Sequence, residues 1–123
     1  LFNQWNKEDL KVYAISANDA VKYPDDSPHK MALDAEEFNF EFPYLFDETQ
    51  EIAKLYGAVC TPDFFLYDGN QKLYYRGQYD SSRPGSGEEA TGTDLINAVS
   101  LLLSGKSTPL DQRPSLGCNI KWK

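Results

Sequence analysis

Between Tyr56 and Asp68 the chain reads Tyr-Gly-Ala-Val-Cys-Thr-Pro-Asp-Phe-Phe-Leu-Tyr-Asp, and this run narrows the possible folds more than any other. Gly57 has the residue type that stops a helix, and Ile52, Leu55 and Tyr56 ahead of it predict that helix's inner face. Asp63–Tyr67 is strongly apolar, Asp68-Gly69-Asn70 is turn chemistry, and Lys72–Arg76 reads as a return strand. Together they predict a β-hairpin opened by a proline, which is tolerated there because it need not donate to a ladder.

Helical and strand signals alternate on both sides of this unit. Leu1, Phe2 and Trp5 recur at helical spacing and predict the last turn of a helix. Lys11–Ser16 predicts a short buried strand, and Asn18–Pro28 a loop. Ser27 followed by Pro28 predicts an N-cap with proline at the first helical position, and Met31, Ala35 and Phe38 are spaced to face inward from that helix. Phe42–Phe46 predicts a second strand, with Pro43 marking an edge. Asp47 with Gln50 three residues on has the form of a capping box for the helix that Gly57 stops.

Beyond the hairpin, Tyr79–Gly92 is a polar loop. Thr91 and Asp94 open a last helix with Leu95, Val99 and Leu102 on its apolar stripe and Ile96 and Leu103 beside it. Gly105 ends that helix and Pro109 prevents its resumption. The tail, 107–123, is irregular, and its Leu116, Ile120 and Trp122 predict packing back onto the body. With no internal repeat and no linker, residues 1–123 read as a single α/β domain in layers.

Composition limits what such a domain does. Twelve Lys and Arg against 19 Asp and Glu give a net charge of −7, which repels phosphate backbones and argues against a nucleic-acid partner. No apolar run approaches the roughly 20 residues of a membrane span, so no membrane partner is expected. Two cysteines, Cys60 and Cys118, are too few for a disulfide scaffold or a cysteine zinc site. The single histidine, His29, lies between Pro28 and Lys30 and reads as solvated, so neither a metal nor a cofactor is expected. The pairs Asp25/Asp26, Glu36/Glu37 and Glu88/Glu89 lack ligand spacing with further carboxylates and read as solvated faces. The chain starts at Leu1 and its one methionine is Met31, which predicts a processed chain or a piece of a longer one. Low cysteine content and no leader predict a reducing, cytoplasmic location.

The element order and the Tyr56–Asp68 run resemble the C-terminal two-thirds of a thioredoxin-fold protein, and most of all the peroxiredoxin-like branch related to alkyl hydroperoxide reductase and thiol-specific antioxidant proteins. The added helix and strand over Ser27–Phe46 suit that branch, as a peroxiredoxin-type insertion. Tyr75-Arg76-Gly77-Gln78, Ser82-Arg83-Pro84-Gly85 and Pro114–Lys123 resemble one uncharacterised peroxiredoxin-like subgroup. The resemblance implies a thioredoxin-like sandwich and thiol-based redox chemistry on a peroxide or a protein disulfide, with a thiol reductant and a possible homodimer. In such proteins the nucleophilic cysteine starts the first core helix, where the helix N-terminus favours thiolate. Here only the end of that helix, around Leu1–Asn6, is expected, so the nucleophile is expected upstream of this chain, which alone is expected to be inactive. The family's first strand lies between the strand at Lys11–Ser16 and the hairpin, so Val12–Ile15 and Phe64–Leu66 are not expected to pair directly.

The resemblance also implies that Thr61 and Pro62 form a substrate-binding edge, with a cis Thr61–Pro62 bond whose preceding backbone pairs with an extended peptide. Cys60 is then either a resolving or auxiliary thiol or a buried small hydrophobe. Cys118 is either a resolving thiol on a mobile tail or a residue tucked beside Trp122, and a Cys60–Cys118 bond stays open. Arg76 and Arg83 are either thiolate stabilisers or partners of surface carboxylates. The alternative function is a redox-silent domain that binds an extended peptide beside Thr61-Pro62.

Overall fold

In the computed structural model, which describes residues 1–8, 10–83, 85–109 and 111–123, Ser27 and Pro28 begin a helix as their order implies. Pro84 of the loop motif lies outside the described residues. The backbone divides into two compact units, Leu1–Gly57 with Ile120–Lys123, and Ala58–Asn119.

The first unit opens with α1 (Phe2–Lys7), whose polar face fastens the chain that follows. Asn3 donates to the Asn39 carbonyl at 2.8 Å and accepts from the Glu41 N–H at 2.8 Å, and Asn6 accepts from the Val12 N–H at 2.9 Å. Strand β1 (Ala14–Ser16) is shorter than the apolar run that signals it, and it pairs in parallel with β2 (Tyr44–Phe46). Within the described residues β2 is the only ladder partner of β1.

Between them, a single 3-10 turn (Pro24–Asp26) leads into α2 (Pro28–Glu37), where the Ser27 hydroxyl accepts from the Lys30 N–H at 3.3 Å. Met31 is buried, but Ala35 is half-buried and Phe38 is 64% exposed. Phe38 sits at the helix's C-terminal cap instead of on its inner face, and stacks on Phe40, which in turn stacks on Phe42 at 4.9 Å.

Helix α3 (Glu51–Tyr56) departs most from expectation. Asp47 does cap it, but from outside, its carboxylate accepting from the Ala53 N–H at 2.8 Å. Gln50 takes a left-handed φ of 66° and points inward, 2% exposed, instead of closing a capping box. Starting the helix at Glu51 turns Ala53 inward and leaves Ile52, Leu55 and Tyr56 exposed, Leu55 to 80%. Gly57 ends it with φ 74°.

The second unit holds β3 (Cys60–Thr61), β4 (Phe64–Tyr67), β5 (Leu73–Gly77), α4 (Thr93–Leu103) and β6 (Cys118–Asn119). The hairpin forms as β4 paired antiparallel to β5, and among the described residues β5 is the only ladder partner of β4. Its turn is longer than Asp-Gly alone requires. The Asp68 carboxylate accepts from the Asn70 and Lys72 N–H groups at 2.8 and 3.0 Å, and Gln71 carries the positive φ of 62°.

Leu66, Tyr74 and Tyr75 from the hairpin, Leu95, Ala98 and Val99 from α4 and Cys60 from β3 are buried in this unit. The helix begins at Thr93, two residues later than Thr91 suggests, and Ala98 is its most buried residue, whereas Leu102 is half-buried and Leu103 is 49% exposed. In the tail, Ile120 is buried, whereas Leu116 is 66% exposed and Trp122 38%. No helix among the described residues is long and apolar enough to cross a membrane.

Candidate functional site

A helix stop, a two-residue strand and a proline in succession bring the backbone around Thr61 to the surface of the second unit. Cys60 is buried at 8% exposure, whereas Thr61 and Pro62 are exposed, and the Thr61–Pro62 bond is cis. The far end of the tail returns to this point. Strand β6 pairs antiparallel with β3, with Cys60 opposite Asn119 and Thr61 opposite Cys118.

That register separates the two thiols. Directly opposed residues of an antiparallel pair project to the same face, and successive residues to opposite faces. Cys118 therefore shares the exposed face of Thr61, and Cys60 lies on the other. Both are free thiols, Cys60 buried and Cys118 exposed, and this arrangement brings no Cys60–Cys118 disulfide together.

The environment of Cys60 favours the protonated thiol. Burial pushes its pKa up and the Asp63 carboxylate adds to the rise; a backbone hydrogen bond from Gly117 and the Arg76 guanidinium pull the other way. Its Sγ donates to the Ser115 carbonyl at 3.4 Å. A thiol so held is a poor nucleophile at neutral pH. Arg76 is engaged by its neighbours: it pairs with Asp63 at 3.3 Å and lies 5.0 Å from the Phe65 ring centre. Arg83 serves the loop, donating to the Asp80 and Ser82 carbonyls at 3.0 and 2.7 Å and to the Gln78 side-chain oxygen at 2.6 Å.

The remaining expected residues stay apart. His29 is exposed in the first turn of α2, and no group of three or more metal-ligating side chains occurs among the described residues. Asp25 is exposed and Asp26 half-buried, and Glu36, Glu37, Glu88 and Glu89 are all exposed.

Two residues that shape this chain have parts the sequence pattern does not assign them. Asp80 is buried in the polar loop, where its carboxylate accepts from the Ser82 hydroxyl and backbone N–H, and from the Thr91 and Gly92 N–H groups at 2.6 and 2.7 Å. These bonds, the Ser82 hydroxyl first, hold its pKa down at about 2 and fix the loop against the start of α4. The signal was available as an Asp followed by a serine two residues on, an Asx-turn pattern. Gln50, in the first unit, donates to the Ala17 and Lys121 carbonyls at 2.7 and 2.9 Å and accepts from the Lys123 N–H at 3.0 Å. Nothing local to Gln50 signals those partners.

Comparison with known proteins gives the site its context. A family model described as the AhpC/TSA family matches residues 1–76, a span that includes Cys60, Thr61 and Pro62. The chain belongs to the AhpC/TSA family. This is a peroxiredoxin-type, thioredoxin-fold family, and its broad function is thiol-based redox chemistry. Among solved structures, the chain is similar to a hypothetical protein from Sinorhizobium meliloti 1021, with 46% identity, a TM-score of 0.94, and coverage of 98% of this chain and 66% of that one. It is also similar to an uncharacterized conserved protein from Geobacillus kaustophilus, with 50% identity, a TM-score of 0.94, and coverage of 98% and 64%. This member of the family thus spans about two-thirds of the length of those structures. No curated protein matches it.

Proposed function

We propose that the chain is part of a thiol-based redox protein on a thioredoxin-like scaffold, with its nucleophilic cysteine on polypeptide preceding these 123 residues. The exposure of Cys118 on the strand opposite Thr61, with Cys60 buried and turned away, carries this reading. It supports Cys118 as the resolving thiol and Cys60 as a packing residue. The raised Cys60 pKa and the greater length of the related structures support a nucleophile outside this chain.

The proposed turnover moves two electrons. The upstream thiolate attacks a hydroperoxide oxygen and the O–O bond breaks; the leaving oxygen takes a proton to become water or an alcohol, and a sulfenic acid remains. The Cys118 thiol condenses with it, forming an S–S bond and releasing water. A dithiol reductant then restores both thiols and is itself oxidised to a disulfide. A protein disulfide enters by exchange instead: the upstream thiolate displaces one substrate thiolate to form a mixed disulfide, and the Cys118 thiolate then displaces the second, leaving the same Cys118 disulfide for the reductant.

Hydroperoxide consumption under a dithiol reductant tests the reading. The complete polypeptide is expected to turn over, its Cys118→Ser variant to lose reductant-dependent cycling, and its Cys60→Ser variant to keep it. The 123-residue chain alone is expected to do nothing. Turnover by that chain, or dependence on Cys60, contradicts the proposal.

A second reading is favoured by one observation: the Thr61 backbone edge already carries an extended segment, β6. That supports a redox-silent domain that pairs with peptides along this edge. Absence of hydroperoxide and disulfide turnover in the complete polypeptide, together with peptide binding at Thr61, selects it.

A further inference from the structure

The ladder between β3 and β6 has only two register pairs, Cys60 with Asn119 and Thr61 with Cys118. Thr61, Cys118 and Asn119 are all exposed, and neighbouring Leu116 is 66% exposed, so the two-residue strand itself buries little apolar surface, although its flanks are fastened by the buried Ile120 and by Ser115, which donates to the Gly77 carbonyl and accepts from the Cys60 thiol. Two-stranded pairings this short are marginal in water. What the contact has instead is close fit. A Cβ built on Gly117 would collide with the Thr61 carbonyl oxygen and come within 3.2 Å of the Thr61 carbonyl carbon and 3.7 Å of the Pro62 nitrogen. Two of these three atoms belong to Thr61 and all are backbone, so they cannot swing aside as a side chain would. Gly117 does not adopt a left-handed φ, so close approach, and not a special backbone angle, is what demands glycine there.

We propose that Gly117–Asn119 is a resident occupant of a peptide-pairing edge, and that this edge selects extended peptides by a glycine at the position of Gly117. The tail strand closes the edge in cis. A peptide with the same Gly-x-x pattern takes its place in trans, through antiparallel hydrogen bonds to Cys60 and Thr61. The first residue must lack a Cβ, and the second lies opposite Thr61 with its side chain on the exposed face. That face tolerates variety, so selectivity sits in the glycine. Because the tail is tethered, it competes at high effective concentration, and the edge is mostly closed to added peptide. This inference rests on the second reading above, that the Thr61 edge pairs with peptides, and adds to it the resident strand and the glycine rule.

The test uses the whole chain with Gly117→Val, whose side chain expels its own tail from the edge, and two labelled peptides with the sequence of residues 115–120. One is native with glycine at position 117, and the other carries alanine there. The Gly117→Val chain is expected to bind the glycine peptide about tenfold or more tightly than the unmodified chain does, and to show no measurable binding of the alanine peptide. Equal binding of both peptides overturns the glycine rule while leaving the edge itself intact. Binding of neither peptide overturns the edge reading and the proposal together. Equal affinity of the variant and the unmodified chain overturns the resident-occupant claim.

If the valine variant does not fold, the unmodified chain carries the test by hydrogen exchange at millimolar peptide. The glycine peptide is expected to speed exchange of the Cys118 and Asn119 amides without changing Phe64–Tyr67. No change at the Cys118 and Asn119 amides, or the same change with the alanine peptide, contradicts the proposal.

Discussion

The second unit contains two antiparallel ladders built on opposite terms. The β4–β5 ladder joins neighbours in sequence through a turn fixed by Asp68, and buries Leu66, Tyr74 and Tyr75. The β3–β6 ladder joins Cys60–Thr61 to residues far along the chain, across two register pairs, with Thr61, Cys118 and Asn119 exposed. A local ladder costs little loop-closure entropy and returns apolar burial; the distant one costs more and returns little. The first therefore acts as scaffold, and the second is the contact that the proposal above makes exchangeable, at the exposed Thr61.

The largest expected effect breaks the scaffold side of this contrast. Tyr75 is 2% exposed and its hydroxyl donates to the Gln78 carbonyl at 2.6 Å. Tyr75→Ala is expected to cost about 3–5 kcal/mol in denaturant unfolding, as for other large-to-small aromatic changes. Tyr75→Phe, which removes only the hydroxyl, is expected to cost about 1 kcal/mol. A Tyr75→Ala cost below that of Tyr75→Phe would deny the hairpin its scaffold role.

Gly77 comes next. A Cβ there would collide with the Arg113 carbonyl oxygen and come within 2.9 Å of the Tyr75 hydroxyl. Gly77→Ala is expected to cost about 1–3 kcal/mol from overpacking. The same unfolding measurement checks it.

The loop that follows the hairpin gives a pH test. Asp80 has a folded pKa of about 2 against an ordinary 3.8. A lowered folded pKa adds stability above the unfolded value that is lost as pH falls toward the folded one, here between about 4 and 2. Thermal unfolding followed across that range is expected to show a slope that Asp80→Asn flattens, and the variant is expected to melt lower at neutral pH. Tyr75 reports at the other end. Burial, with a smaller push from Asp94, raises its pKa to about 12, so absorbance titration is expected to show late-ionising tyrosine, with Tyr44, also raised by burial, contributing beside Tyr75. Raising a folded pKa makes stability fall as pH climbs from about 10 to 12.

The smallest expected effects sharpen the exchangeable side. Cys118→Ser is expected to change stability by less than about 0.5 kcal/mol, as an exposed substitution with no special role in folding. Alkylation of the native chain is expected to modify Cys118 well before Cys60, because Cys60 is buried and its pKa is raised. Faster modification of Cys60 would reverse the assignment of the two thiols.

The hairpin, the Ser27-Pro28 helix start and the Gly57 stop were legible because each is encoded within a few neighbouring residues. The inner face of α3 was not. Asp47 caps the helix from outside and Gln50 turns inward to meet the backbone of Ala17, Lys121 and Lys123. Those partners shift the helix start, and with it which of Ile52, Ala53 and Leu55 is buried. Phe38 misled for a related reason, since aromatic neighbours at Phe40 and Phe42 hold it at a helix end. At the site, the sequence singled out Thr61, Pro62 and both cysteines, but not the register that opposes Cys118 to Thr61. A two-residue ladder between distant segments leaves no periodic trace.

The most direct test of the account treats the complete polypeptide with one equivalent of hydroperoxide, blocks the remaining thiols, and maps the disulfides by peptide mass. The account predicts a disulfide that contains Cys118, with Cys60 recovered as a blocked thiol. A disulfide that contains Cys60, or oxidation that leaves Cys118 free, would contradict it.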